Sequence, residues 1–145
     1  MISYIDLENY FHETGVFFDE YIYTSPDGTQ QAQEIRFCVN KSLLNGRPFY
    51  LSYMFNPPDL SNTIILLKAY VRLKCTTLAL FSSIQSMNED FKSKNLNFEF
   101  AIKDGTFIVY SNFAGNDPRF NVRDLYEYGL EISSIAIQYI QQHGV

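Results

Sequence analysis

The chain has no tryptophan, two cysteines and two histidines among its 145 residues, and each shortage removes a kind of chemistry. Cys38 and Cys75 stand far apart, with no C-x-x-C pair and no histidine at ligand spacing, so neither a metal knuckle nor a redox pair is expected. Both read as small buried hydrophobes on strands. A serine or cysteine hydrolase needs a positioned histidine, but His12 and His143 lie near the two ends and no G-x-S-x-G elbow is present. His12 falls at the end of a first helix, where a cation complements the helix dipole and a structural or solvent-exposed role suffices. The seven glycines are scattered singly, so no phosphate cradle forms. Asp19 with Glu20 and Glu89 with Asp90 are neighbours in sequence, not carboxylates facing each other across a cleft, and read as solvated charges. No catalytic residue, metal ligand or cofactor-binding residue is assigned, and the expectation is a non-enzymatic protein without a cofactor.

Positive charge is also scarce. Eleven Lys and Arg against sixteen Asp and Glu give a net charge of −5, which opposes binding to phosphate backbones and anionic lipid surfaces. No nucleic-acid or membrane partner is expected. The longest apolar run, residues 64–67, is far too short to span a bilayer. The opening residues carry no basic n-region and no apolar h-region, so a cytoplasmic protein is the expectation.

What the chain does have is 13 Phe and 11 Tyr, a supply of rings suited to sheets packed against helices. The length predicts one domain, residues 1–145, with one core. Ser3 and Asp6 make a capping box, and Tyr4, Leu7 and Phe11 share a helical face that ends near Gly15. Alternation predicts strands over 16–23, 33–40, 49–55 and 63–75, punctuated by Ser25-Pro26-Asp27-Gly28, Asn45-Gly46 and Asn56-Pro57-Pro58-Asp59. A helix over 77–92 follows, with Leu80, Ile84, Met87 and Phe91 on one face. Two strands over 96–102 and 106–113 then turn at Asp104-Gly105, and a closing helix spans 122–142. The fold class is α+β, an antiparallel sheet with helices packed on it, in the order α-β-β-β-β-α-β-β-α.

Two surfaces exceed what such a core needs. Tyr21, Tyr23, Tyr50, Tyr70 and Tyr110 fall on strand positions that alternate with core residues, an outward row of large rings if no helix covers them. The closing helix carries Leu125, Tyr128, Ile132, Ile135, Ala136 and Tyr139 on its core face and a further stripe at Tyr126, Leu130 and Ile137. Either the sheet wraps this helix or a partner covers the stripe. The candidate partner-binding residues are therefore Tyr50, Tyr70, Tyr126, Leu130 and Ile137. Single-stranded nucleic acid would need a cationic groove that this composition lacks; the basic row of Lys68, Arg72 and Lys74 on one strand is the single reservation, and reads equally as charges protecting a sheet edge.

The opening helix running into Val16-Phe17-Phe18, the strand-to-helix passage over 64–91, the strands over 96–113 and the aliphatic closing helix together resemble the YbjN family, whose members share the type III secretion chaperone-like fold. The resemblance covers nearly the whole chain through the order of its elements, not through a signature motif. It departs from Leu- and Arg-rich members in its Phe, Tyr and Asn content. It implies an α+β homodimer that acts by binding; secretion chaperones of this fold are small and acidic and hold a partner's segment extended on helix and sheet surfaces. No catalytic residue is carried over. The expected function is a chaperone-like or regulatory protein-binding domain, the alternative a structural or regulatory homodimer with no separate ligand.

Overall fold

The computed structural model describes residues 2–40, 44–57 and 63–145. Its elements are α1 (Tyr4–Thr14), β1 (Asp19–Thr24), β2 (Gln31–Asn40), β3 (Phe49–Asn56), β4 (Ile64–Arg72), α2 (Leu78–Ser93), β5 (Glu99–Lys103), β6 (Thr106–Ala114) and α3 (Val122–His143). The order is the one the periodicities predict, and the architecture is α+β. All six strands pair antiparallel in one sheet of order β1-β2-β3-β4-β6-β5. Of the proline-rich stop after β3, Pro58 and Asp59 lie outside the described residues.

Local chemistry sets the boundaries. Ser3 Oγ accepts from the Asp6 amide and Asp6 Oδ2 accepts from the Ser3 amide, the reciprocal box that starts α1. The same device starts α3 through Asn121 and Asp124. The β5–β6 hairpin turns on Asp104 (φ 51°) and Gly105 (φ 75°), the left-handed pair that a tight hairpin of this twist requires. β1 begins three residues later than predicted, because the Val16 amide still bonds the Phe11 carbonyl at the end of α1. β5 likewise begins at Glu99, not at 96, since the Leu96 amide closes onto the Phe91 carbonyl of α2.

One face of the sheet carries the core. Leu51, Tyr53 and Phe55 of β3, Ile65, Leu67, Ala69 and Val71 of β4, and Phe107 and Val109 of β6 are buried there against α3. α1 packs on the same face through Phe11, whose ring meets Phe37 at 5.3 Å and Tyr53 at 6.2 Å. α2 joins it through Phe91, 4.9 Å from Phe100. α3 approaches the sheet closely at Gly129. A Cβ there would stand 2.1 Å from Tyr53 Oη and 2.9 Å from Leu51 Cδ2. Tyr53 has no room to yield, being fully buried with its hydroxyl held between the Leu125 and Tyr126 carbonyls, each at 3.2 Å.

Two sequence expectations are corrected here. Cys75 lies beyond the end of β4 and is exposed, and Cys38 is only half-buried; both thiols are free. β4 is an interior strand, paired with β3 on one side and β6 on the other, so the charges at Lys68 and Arg72 protect no edge, and Lys74 lies past the strand.

A helix-interior Gly→Ala change ordinarily stabilises by about 1 kcal/mol. Gly129→Ala is predicted to destabilise instead, by about 1–3 kcal/mol from overpacking, as read from urea unfolding midpoints. In a Tyr53→Phe background, where the clashing oxygen is gone, the same change is predicted to cost less.

Candidate functional site

With all three helices on one side, the other face of the sheet is left without a helix among the described residues. The pairing registers lay its side chains out in rows across the strands. One row runs Tyr21, Glu34, Met54, Leu66, Asn112. The next runs Asp19, Arg36, Ser52, Lys68, Tyr110, Glu99 across all six strands. A third runs Cys38, Tyr50, Tyr70, Ile108, Ala101. All five tyrosines singled out from the sequence lie on this face: Tyr21 and Tyr23 are exposed, and Tyr50, Tyr70 and Tyr110 are half-buried among their neighbours.

A polar network fixes the centre of the face. Glu34 is only 2% exposed although no helix among the described residues lies over it. Its carboxylate accepts from Tyr23 Oη at 2.6 Å, from Ser52 Oγ, and from Arg36 Nη2 at 3.1 Å. Burial by itself would raise the Glu34 pKa, but the hydrogen bonds from Ser52, Tyr23 and Arg36 outweigh it and hold the carboxyl below the usual range. The Arg36 guanidinium lies over Tyr21, 4.4 Å from the ring centroid, and 5.8 Å from that of Tyr70. Tyr50 and Tyr70 are directly opposed across β3 and β4 with centroids 5.5 Å apart. The Tyr70 hydroxyl is pushed up to about 12, chiefly by burial. Lys68 also approaches this ring, with Nζ 5.6 Å from its centroid. The face is thus a platform of rings and aliphatic side chains, with Met54, Leu66 and Ile108 among them, around a locked polar centre.

The candidates on α3 do not join Tyr50 and Tyr70; the sheet separates them. Ile137 is buried in the core at 5% exposure, and Leu130 is half-buried against it. Tyr126 is covered by α1 and β2, its ring lying 5.3 Å from Phe11, 5.5 Å from Tyr10 and 5.9 Å from Phe37. Of the stripe that looked surplus, Tyr126 is taken up by the first helix of the same chain, and Leu130 and Ile137 by the core. Conversely, the sequence singled out neither Glu34 nor Ser52 as site residues. The signal was present in the alternation, which puts both opposite the core, but their convergence depends on the register between β2 and β3.

A groove of about 550 Å³ also lies between α2 and the start of β5, lined by Phe81, Ile84, Asn88, Leu96, Phe98 and Asn112 among others. Two of its side-chain amides, Asn88 and Asn97, are engaged by backbone groups. Asn88 donates to the Phe100 carbonyl and accepts from the Phe100 amide, both at 2.8 Å, standing in for a neighbouring strand at the sheet edge. Asn97 Nδ2 donates to the Asn112 carbonyl at 3.0 Å. Among the described residues no three His, Cys, Asp or Glu side chains gather as metal ligands, and no helix is long and apolar enough to cross a membrane.

No protein-family model matches the chain, and no curated protein sequence matches it.

Glu34→Gln is predicted to lower stability by roughly 1–3 kcal/mol at neutral pH, through the loss of charge-assisted bonds. Because the folded pKa is depressed, the carboxylate's contribution is fully present above the ordinary glutamate value and is lost as pH falls through the folded value. The stability gap between wild type and Glu34→Gln should therefore narrow on acidification, as measured by denaturant unfolding at a series of pH values.

Proposed function

We propose that this chain is a non-enzymatic protein-binding domain, chaperone-like or regulatory, that captures a segment of a partner protein on its helix-free sheet face. The observation that carries this reading is the one-sided placement of the helices, which leaves Tyr50, Tyr70 and Tyr110 with Met54, Leu66 and Ile108 on a face with no helix over it among the described residues. Tyrosine supplies large contact area at low cost in side-chain entropy, and a pre-ordered platform loses little further freedom on binding. The Glu34 network supports the same reading, because a face held in one arrangement by its own hydrogen bonds presents a fixed shape to a ligand. The resemblance to the YbjN family and to secretion chaperones accords with it in size, acidity and element order. The alternative occupant is a second copy of the chain, giving a structural or regulatory homodimer.

The test is a pull-down with the tagged full chain and its Tyr50→Ser, Tyr70→Ser double variant, paired with sedimentation velocity. Capture predicts that partner recovery falls at least about tenfold, equivalent to ~1.4 kcal/mol, with the sedimentation coefficient unchanged. Dissociation of a wild-type dimer into monomers on the double change, with no partner recovered, assigns the face to self-association.

A further inference from the structure

Two groups on the open face are left without a hydrogen-bond or ion-pair partner among the described residues. Arg36 bonds Glu34 through Nε and Nη2, leaving Nη1 without a hydrogen bond among the described residues. Lys68 makes no ion pair among the described residues. These two cations stand either side of Ser52 in one row, about 10 Å apart at the backbone by strand spacing. Their charged ends nevertheless converge on one ring, Arg36 Cζ at 5.8 Å and Lys68 Nζ at 5.6 Å from the Tyr70 centroid.

We infer that the space between Arg36 Nη1 and Lys68 Nζ, beside the Tyr70 ring, is a subsite for one carboxylate side chain of an extended partner segment. The inference rests on the capture reading above and specifies its ligand. Glu34 neutralises one of the two cations, so the pair carries one net positive charge, suited to a single anion. The row opens on Asp19 and closes on Glu99, which repel a chain of phosphates laid across the sheet but leave room for one acid at its middle. The flanking rows set the neighbours of that acid. An extended segment running along the strands places alternate side chains on the sheet about 6.7 Å apart, the same interval that separates one row from the next. Its acid over the Arg36 and Lys68 row therefore puts the residue two before or after it on Met54 and Leu66, and the residue two away on the other side on Tyr50 and Tyr70. The ligand is an alternating apolar, acidic, apolar segment, with aromatic or aliphatic residues two positions either side of a Glu or Asp.

The test uses the full chain and fluorescein-labelled peptides of pattern apolar-Thr-centre-Thr-apolar, the apolar positions drawn from Leu, Phe and Tyr and the centre being Glu, Gln or Lys. Anisotropy titrations should show the Glu set binding at least about fivefold more tightly than the Gln and Lys sets, the size of one partly exposed ion pair, with the preference fading as salt rises. Lys68→Glu should reverse the order of Glu and Lys peptides, and Lys68→Met, which keeps an apolar stem, should level it; circular dichroism confirms that each variant is folded. Equal affinities for Glu, Gln and Lys centres overturn the carboxylate subsite while leaving segment capture standing. No binding by any peptide overturns both. Displacement of the Glu peptides by a short oligothymidylate at equal concentration also overturns the subsite, in favour of single-stranded nucleic acid.

Discussion

The structure depends on how closely α3 settles onto the centre of the sheet. Gly129 carries no side chain where Tyr53 rises from β3, and the Tyr53 hydroxyl lies between two carbonyls of the helix backbone. That contact fixes which face of β3 and β4 is the core. The antiparallel registers then propagate the choice to every other strand, since directly opposed residues point to the same side. α1 and α2 follow α3 onto that face through Phe11 and Phe91. The open face is thus a consequence of core packing: burying Tyr53 and Leu51 under α3 leaves Tyr50, Ser52 and Met54 on the other side of the same strand.

An uncovered face rich in rings requires a device that keeps it ordered. Here the device is electrostatic. Glu34 draws donors from β1, β2 and β3 into one cluster, and Arg36 extends that cluster over Tyr21 and toward Tyr70. A buried carboxylate with three kinds of donor is stable only while all of them are present, so it favours a single arrangement of the face. Edge strands are managed separately. Asn88 occupies the outward backbone groups of β5 at Phe100, and β1 carries Asp19 and Glu20.

Much of the fold was legible in the sequence because its signals are local. The alternation through β4, the Ser3 and Asp6 cap and the Asp104-Gly105 turn each arise within a few residues and came out as the periodicities predict. What escaped depends on distant pairing. Tyr126 looked unpartnered because its cover, Tyr10 and Phe11, lies more than a hundred positions upstream. Lys68 looked fit for a sheet edge until β6 was seen to pair outside β4. The parity of Tyr50 and Tyr70 placed them together, but only the register between β2 and β3 brings Glu34 to Ser52 and so makes the centre of the face.

The central claim is that the Tyr50 and Tyr70 face is accessible in the free protein, and the chain carries its own probe of it. Cys38 is half-buried in the same row as Tyr50. In a Cys75→Ser variant it is the sole thiol, and its rate of reaction with a disulfide reagent under native conditions, followed over a hundredfold dilution series, reports directly on cover of that face. The account predicts that Cys38 reacts in the folded state at a rate independent of protein concentration. Reaction only through global unfolding, or a rate that rises on dilution as copies separate, would contradict it.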